Sequence, residues 1–185
     1  MMLFALSILI GWLLGAVPGG RLVAIAAKDK VLARGTGNPG PFLWIQKGFK
    51  GLAALCVLLE AGKIVAAVQM AWVLTASREA ALVAGIVAVL GHGHSPFLRF
   101  VPCRGGVVYV GFALGVDVLA GGFLAALGGG LYWFLSRQDY ALLAVLMAMP
   151  AVLFLLGGTN PAMAGMVLFS YGLWHHRRTF LTMTR

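Results

Sequence analysis

The chain has 185 residues, 61% of them hydrophobic and 10% charged, with a mean hydropathy of +0.96; soluble globular domains carry roughly 25% charged residues, so this composition excludes an ordinary soluble domain. The 14 Lys and Arg against 5 Asp and Glu give a formal net charge of +9. So apolar a chain has little of the solvated basic surface that nucleic-acid binding needs, which makes anionic small molecules and membrane lipid headgroups the expected partners and excludes nucleic acid.

Apolar runs cover residues 2–27, 51–74, 79–98, 105–118, 119–135, 140–157 and 161–176, most of them near the length that crosses a bilayer. The runs are continuously apolar and lack the alternation of barrel strands, so helices are expected. The first run has no basic residue ahead of it and no A-x-A-like cleavage site, and is read as a retained span. The fourth and fifth are short and are separated around Asp117, an acid expected to be solvated at the turn. The expected architecture is an all-α integral membrane protein of about seven transmembrane helical segments with short loops, forming one polytopic domain over residues 1–185.

Three basic, glycine-bearing segments interrupt the runs, at residues 28–51, 92–106 and 175–185. Lys and Arg favour the cytoplasmic side, which puts the amino terminus outside, the carboxyl terminus inside, and all three polar segments on one face. Only Cys56 and Cys103 are present, too few for a disulfide framework.

The first segment contains Gly35-Thr36-Gly37-Asn38-Pro39-Gly40. Glycines let backbone N–H groups converge on a phosphate, and Thr36 and Asn38 add side-chain hydrogen bonds; a turn-rich connecting loop reads the same way. In the second, Arg104-Gly105-Gly106 has the form of an anion site in which a guanidinium and bare backbone grip a phosphate. Arg99 and Arg104 also suit simple charge anchoring at the membrane face. His92, at the end of the third run, suits a general base near neutral pH. His92 and His94 lack converging partners, so no metal site is expected, and nothing around Cys103 marks it as a nucleophile. Glu60 and Lys63 stand at i, i+3 within the second run, where charges are costly unless paired, and are expected to form a structural intramembrane pair.

These segments resemble, in order and spacing over nearly the whole chain, the PlsY family of bacterial acyl-phosphate:glycerol-3-phosphate acyltransferases. The family's Gly-Ser-Ile-Pro is similar to Gly15-Ala16-Val17-Pro18, its Gly-Ser-Gly-Asn-x-Gly to Gly35–Gly40, and its Asp-x-x-Lys to Glu60 and Lys63. Its Gly-His and following Phe-Leu-Lys-Phe-Lys-Gly-Gly-Lys-Gly resemble Gly91-His92 and the stretch Phe97 to Gly105, and its His-Arg-x-Asn resembles His176-Arg177-Arg178-Thr179.

The resemblance implies a seven-helix membrane enzyme that moves a fatty acyl group from acyl-phosphate to the 1-hydroxyl of glycerol 3-phosphate, giving lysophosphatidic acid for phospholipid synthesis. It implies no acyl-enzyme, no cofactor, and a bacterial plasma (inner) membrane location. By position Thr36 stands at the family's phosphate-binding serine, Arg104 at its lysine and His176 at its motif histidine. The implied catalytic set is His92, Arg104 and His176. Arg34, Gly35, Thr36, Gly37, Asn38, Gly40, Lys47, Arg99, Gly105, Gly106, Arg177 and Thr179 are the implied substrate-binding set. The chain departs from the family at Pro41, Phe42 and Leu43, which replace Ala-Thr-Asn, at Gln46 in place of an arginine, and at Val101, Pro102, Cys103 and Thr179. Lys47 and Arg34 are the nearest cations to the missing arginines. A diverged member acting on another acceptor, or a non-catalytic membrane protein of lipid metabolism, is the alternative.

Overall fold

The computed structural model describes residues 1–28, 38–101, 103 and 105–183, and among them it contains ten α-helices and no strand. Each of the seven apolar runs is helical. Helices α4 (Lys50–Thr75), α5 (Arg78–Gly93), α7 (Val118–Leu135) and α8 (Gln138–Gly157) are long and apolar enough to cross a membrane. The bent pair α1 (Met2–Ala16) and α2 (Gly19–Ala26) makes a fifth, and α6 (Val107–Val116) and α9 (Thr159–His175) are shorter apolar helices.

The first run is not one straight helix. It bends by 41° between α1 and α2, where Pro18 lacks an N–H and its ring obstructs the preceding turn. Two further helices lie in segments expected to be loops. Pro41 opens α3 (Pro41–Gln46) at a first-turn position, where its missing N–H costs nothing; Trp44 then anchors it, fully buried against Val23, Ala53 and Cys56. The other is α10 (Arg177–Thr182). The break between α6 and α7 falls at Asp117, which is more than a solvated turn residue, since its Oδ1 accepts the Ala120 N–H at 2.8 Å and caps α7.

Small residues set the helix spacing. On α1, a Cβ at Gly11 or Gly15 would collide with the backbone of Ala84 or Ala88 on α5, and on α5 one at Gly91 would meet the Trp12 carbonyl. Close backbone approach of this kind drives helix association in lipid, where apolar burial gives no advantage. Ile64, Val68, Val89, Val108, Phe112, Leu146 and Leu168 fill the main core, to which Ala84 and Ala88 also belong. Trp133, Phe134, Leu155 and Leu58 are left mostly exposed, as lipid-facing side chains are.

Substituting Gly15→Val puts a branched side chain where the Ala88 carbonyl stands. We expect a loss on the order of 1–3 kcal/mol, read as a lower thermal midpoint in detergent, whereas Leu58→Ala, 70% exposed, leaves the midpoint unchanged. Equal midpoints for Gly15→Val and the parent would contradict this packing.

Candidate active site

The break at Pro18 leaves backbone groups of both helix ends without intrahelical partners. An ion pair on α4 satisfies one group at each of the two ends. Spaced at i, i+3 on one face, Glu60 and Lys63 pair at 2.6 Å between Oε2 and Nζ. Lys63 Nζ also donates to the Val17 carbonyl at 2.6 Å, while Glu60 Oε1 accepts the Gly20 N–H at 3.0 Å. The cation thus meets the carbonyl end of α1 and the anion the amide end of α2, the orientation that helix dipoles favour. Both side chains are almost entirely buried, 5% and 8% exposed for Glu60 and Lys63.

The same carboxylate holds the end of the glycine loop. Asn38 Nδ2 donates to Glu60 Oε1 at 3.1 Å and to Cys103 Sγ at 3.0 Å, and its Oδ1 accepts the Arg21 N–H at 2.8 Å. Gly20 makes this close seating feasible, because a Cβ there would strike the Pro39 carbonyl. His92, in the last turn of α5 and 4% exposed, presents Nδ1 to Glu60 Oε2 and to Lys63 Nζ, 3.1 Å from each. Its other edge faces Gly105, where a Cβ would collide with Nε2. Glu60, Lys63, Asn38, His92 and Gly105 therefore form one connected unit, and the second loop is folded onto the first.

A second network secures the second loop from α9. His175 Nε2 bonds the Cys103 carbonyl at 2.9 Å, and Tyr171 Oη lies 3.3 Å from His175 Nδ1 and 3.4 Å from His94 Nδ1. Ser95 Oγ donates to the Ala16 carbonyl and Cys103 N–H to the Gly93 carbonyl, fixing the loop to α1 and α5. Sequence reasoning missed Tyr171 and His175. The available signal is their i, i+4 spacing, which puts both on one helix face immediately ahead of His176.

A groove of about 1380 Å³ opens beside this unit. Its lining is polar at Asn38, Glu60, His92, His175, His176 and Arg177, with Lys50, Gln138 and Asp139 as further polar members, and apolar at Val57, Val110, Leu124, Ala125, Gly128 and Val145. Gly40, Gly105, Gly106 and Arg178 also line it. His176 is buried at the start of α10, and Arg177 lies over the Trp174 ring, donating to its carbonyl. Lys47, Arg99 and Thr179 are not among its lining: Lys47 lies over the Trp44 ring and Arg99 is exposed. Arg34, Gly35, Thr36, Gly37 and Arg104 lie outside the described residues. Among the described residues no three His, Cys, Asp or Glu side chains converge as metal ligands.

Fold and site together define a polytopic helical membrane protein with a groove lined by both polar and apolar side chains, a lining suited to an amphiphile. The sequence profile of a family described as glycerol-3-phosphate acyltransferase matches residues 5–184. A glycerol-3-phosphate acyltransferase of Agrobacterium fabrum is 38% identical over 183 residues, covering 95% of this chain and 85% of that protein. One from Paramagnetospirillum magneticum is 32% identical over 181 residues, covering 95% and 87%. The crystal structure of PlsY (YgiH), an integral membrane glycerol 3-phosphate acyltransferase, in its glycerol 3-phosphate form, superposes with a TM-score of 0.85 at 18% identity, covering 98% of this chain and 92% of that one. The lysophosphatidic acid form of PlsY gives the same score. The chain belongs to the glycerol-3-phosphate acyltransferase family.

Removing one partner of a buried ion pair strands the other charge, at a cost of about 3–5 kcal/mol. Glu60→Met or Lys63→Met alone should therefore lower the thermal midpoint sharply in detergent, and Glu60→Met with Lys63→Met should recover much of it. The double variant nevertheless loses the acceptors and donors that hold Asn38 and His92, so its activity should stay low. Activity of the double variant equal to that of the parent would contradict the organising role of the pair.

Proposed function

We propose that the chain is a single-domain, multi-pass enzyme of the bacterial plasma membrane that transfers a fatty acyl group from acyl-phosphate to the 1-hydroxyl of glycerol 3-phosphate, giving lysophosphatidic acid for phospholipid synthesis. Family membership over nearly the whole chain supports the reaction class. The observation that carries the reading to this chain's residues is Asn38, whose amide joins the glycine loop to Glu60 and to Cys103 of the second loop, next to a groove that His176 also lines. Three separate polar segments thereby meet at the head of one amphiphilic groove.

The chemistry follows from that arrangement. The acyl tail lies along the apolar lining and its phosphate against the polar lining, where His176 and Arg177 stand; by their place in the family motifs, Arg104 and Thr36 complete the neutralisation of the two phosphates. The acceptor's 1-hydroxyl oxygen attacks the acyl carbon, the bond from that carbon to the phosphate oxygen breaks, and the hydroxyl proton passes to the departing phosphate, which leaves as hydrogen phosphate. No covalent enzyme intermediate is needed. Orientation of two bound reactants and charge stabilisation at the developing oxyanion supply the acceleration. His92, held by Glu60 and Lys63, acts by fixing the second loop through Gly105.

Sidedness accords with charge. The turns at Ser77, Asp117 and Gly158 adjoin Arg78, Glu79 and Asp117, whereas the opposite ends carry Arg21, Lys47, Lys50, Arg99, Arg137, Arg177 and Arg178. The basic side is therefore the cytoplasmic one, with the amino terminus outside and the carboxyl terminus inside, so both water-soluble glycerol 3-phosphate and bilayer lipid reach the site.

Purified protein in lipid nanodiscs, given palmitoyl phosphate and labelled glycerol 3-phosphate, should form labelled lysophosphatidic acid. Arg104→Ala and His176→Ala should each lower the rate by about 10²-fold or more; Arg104→Ala should leave the thermal midpoint unchanged, whereas His176→Ala, which truncates a buried side chain, should lower it as well. Absence of product from folded parent protein would overturn the acyl-transfer reading, and full activity of Arg104→Ala would remove that residue from the site.

A further inference from the structure

The groove has two walls and a floor. Helix α6, only 10 residues long, packs against α4 on one side and α7 on the other. It supplies Val107, Val108 and Val110 to the lining. Helix α3 sits on the α4 wall, held there by buried Trp44. From α3 the Phe42 ring reaches Tyr132 of α7, with centroids 4.3 Å apart and planes tilted by 49°. Both rings are partly buried and both line the groove. A ring-to-ring contact thus spans from one wall to the other.

Its position along the groove follows from the chain. Phe42 comes two residues after Gly40, at the polar head, and Tyr132 comes one helical turn after Gly128 and Gly129, which line the apolar part without side chains. The two rings therefore stand between the segment that carries Asn38 and the glycine-lined stretch of α7. Phe42 also belongs to the segment in which the chain departs from the motif it otherwise resembles.

We infer that Phe42 and Tyr132 form an aromatic bridge over the groove that sets the width available to the acyl chain next to its carbonyl, and so selects unbranched acyl donors over donors branched near the carboxyl end. The inference rests on the acyl-transfer reading for its physiological ligand. Aromatic pairs gain about 0.5–1.5 kcal/mol beyond their buried area, enough to hold the bridge closed and little enough for a slender chain to part it. A pocket wall rejects one additional methyl group by roughly 10-fold or more, which sets the size of the effect.

The test compares palmitoyl phosphate with its 2-methyl analogue as donors, and the two corresponding non-transferable acyl phosphonates as ligands, in nanodiscs. The variants are Phe42→Ala, Tyr132→Ala, both together, and Phe134→Ala, whose lipid-facing ring is 87% exposed, as the control. The parent and Phe134→Ala should prefer the straight chain in kcat/KM and in phosphonate affinity. Either bridge variant should reduce that preference about 10-fold with the KM for glycerol 3-phosphate unchanged, and the double variant should do no more than either single one. Bridge variants that keep the parent's preference in both measurements, or additive effects of the two substitutions, would overturn the inference. If the parent transfers nothing but its phosphonate preference still depends on both rings, the bridge stands and the acyl-transfer reading falls.

Discussion

Everything polar in this bundle is organised by the Glu60 carboxylate. It is buried in an apolar helix, where an unpaired charge costs several kcal/mol, and it is stabilised by four separate donors: Lys63, His92, Asn38 and the Gly20 amide. Those partners come from α4, α5, the glycine loop and α2. The constraint acts in both directions, because none of the four donors can move away without leaving the carboxylate short of a partner. A cluster of this kind adds little to net stability compared with an apolar replacement; what it provides is a single relative placement of Asn38 and the second loop beside the groove.

The helix break at Pro18 is the necessary counterpart. A continuous first helix would offer neither a free carbonyl at Val17 nor a free amide at Gly20, and the ion pair would lose the two backbone groups that complete its coordination. The glycines that follow the break serve the same end: Gly20 admits the Pro39 carbonyl, and Gly105, on the far side, admits the His92 ring. The two loops therefore close on the ion pair through positions where a methyl group would obstruct them. The groove that Glu60 and His92 line is also lined by Val110, Leu124 and Gly128, so polar and apolar surfaces adjoin in one cavity.

Much of this was legible in the residues. Continuous apolar runs announced the helices, because in lipid a segment must satisfy its own backbone, and the i, i+3 spacing of Glu60 and Lys63 announced their pairing. Asn38, His92, Gly105 and His176 were singled out by residue type and motif and do converge on one groove. The break within the first run was less legible: Pro18 was visible, but hydropathy alone made the run continuous. Helix α3 was hidden because its six residues lie in a glycine-rich, basic stretch, and only burial of Trp44 by distant α2 and α4 residues explains it. The His175 bond to Cys103 and the Phe42 contact with Tyr132 join positions far apart in the chain, which no local pattern encodes. Lys47 and Arg99 were chosen for their charge, yet the groove is lined without them.

The claim at the centre is that the Glu60-anchored loops create one phosphate site at the polar head of the groove. An experimental structure of the protein with glycerol 3-phosphate bound, locating the phosphorus atom, tests this most directly. The account predicts the phosphate within hydrogen-bonding reach of the loop ending at Gly40, of the Gly105-Gly106 backbone and of the His176 region, with the 1-hydroxyl directed down the groove toward Val57 and Val110. A phosphate bound instead on the outer basic rim, at Lys47 or Arg99 and away from the Asn38–Glu60 unit, would contradict it.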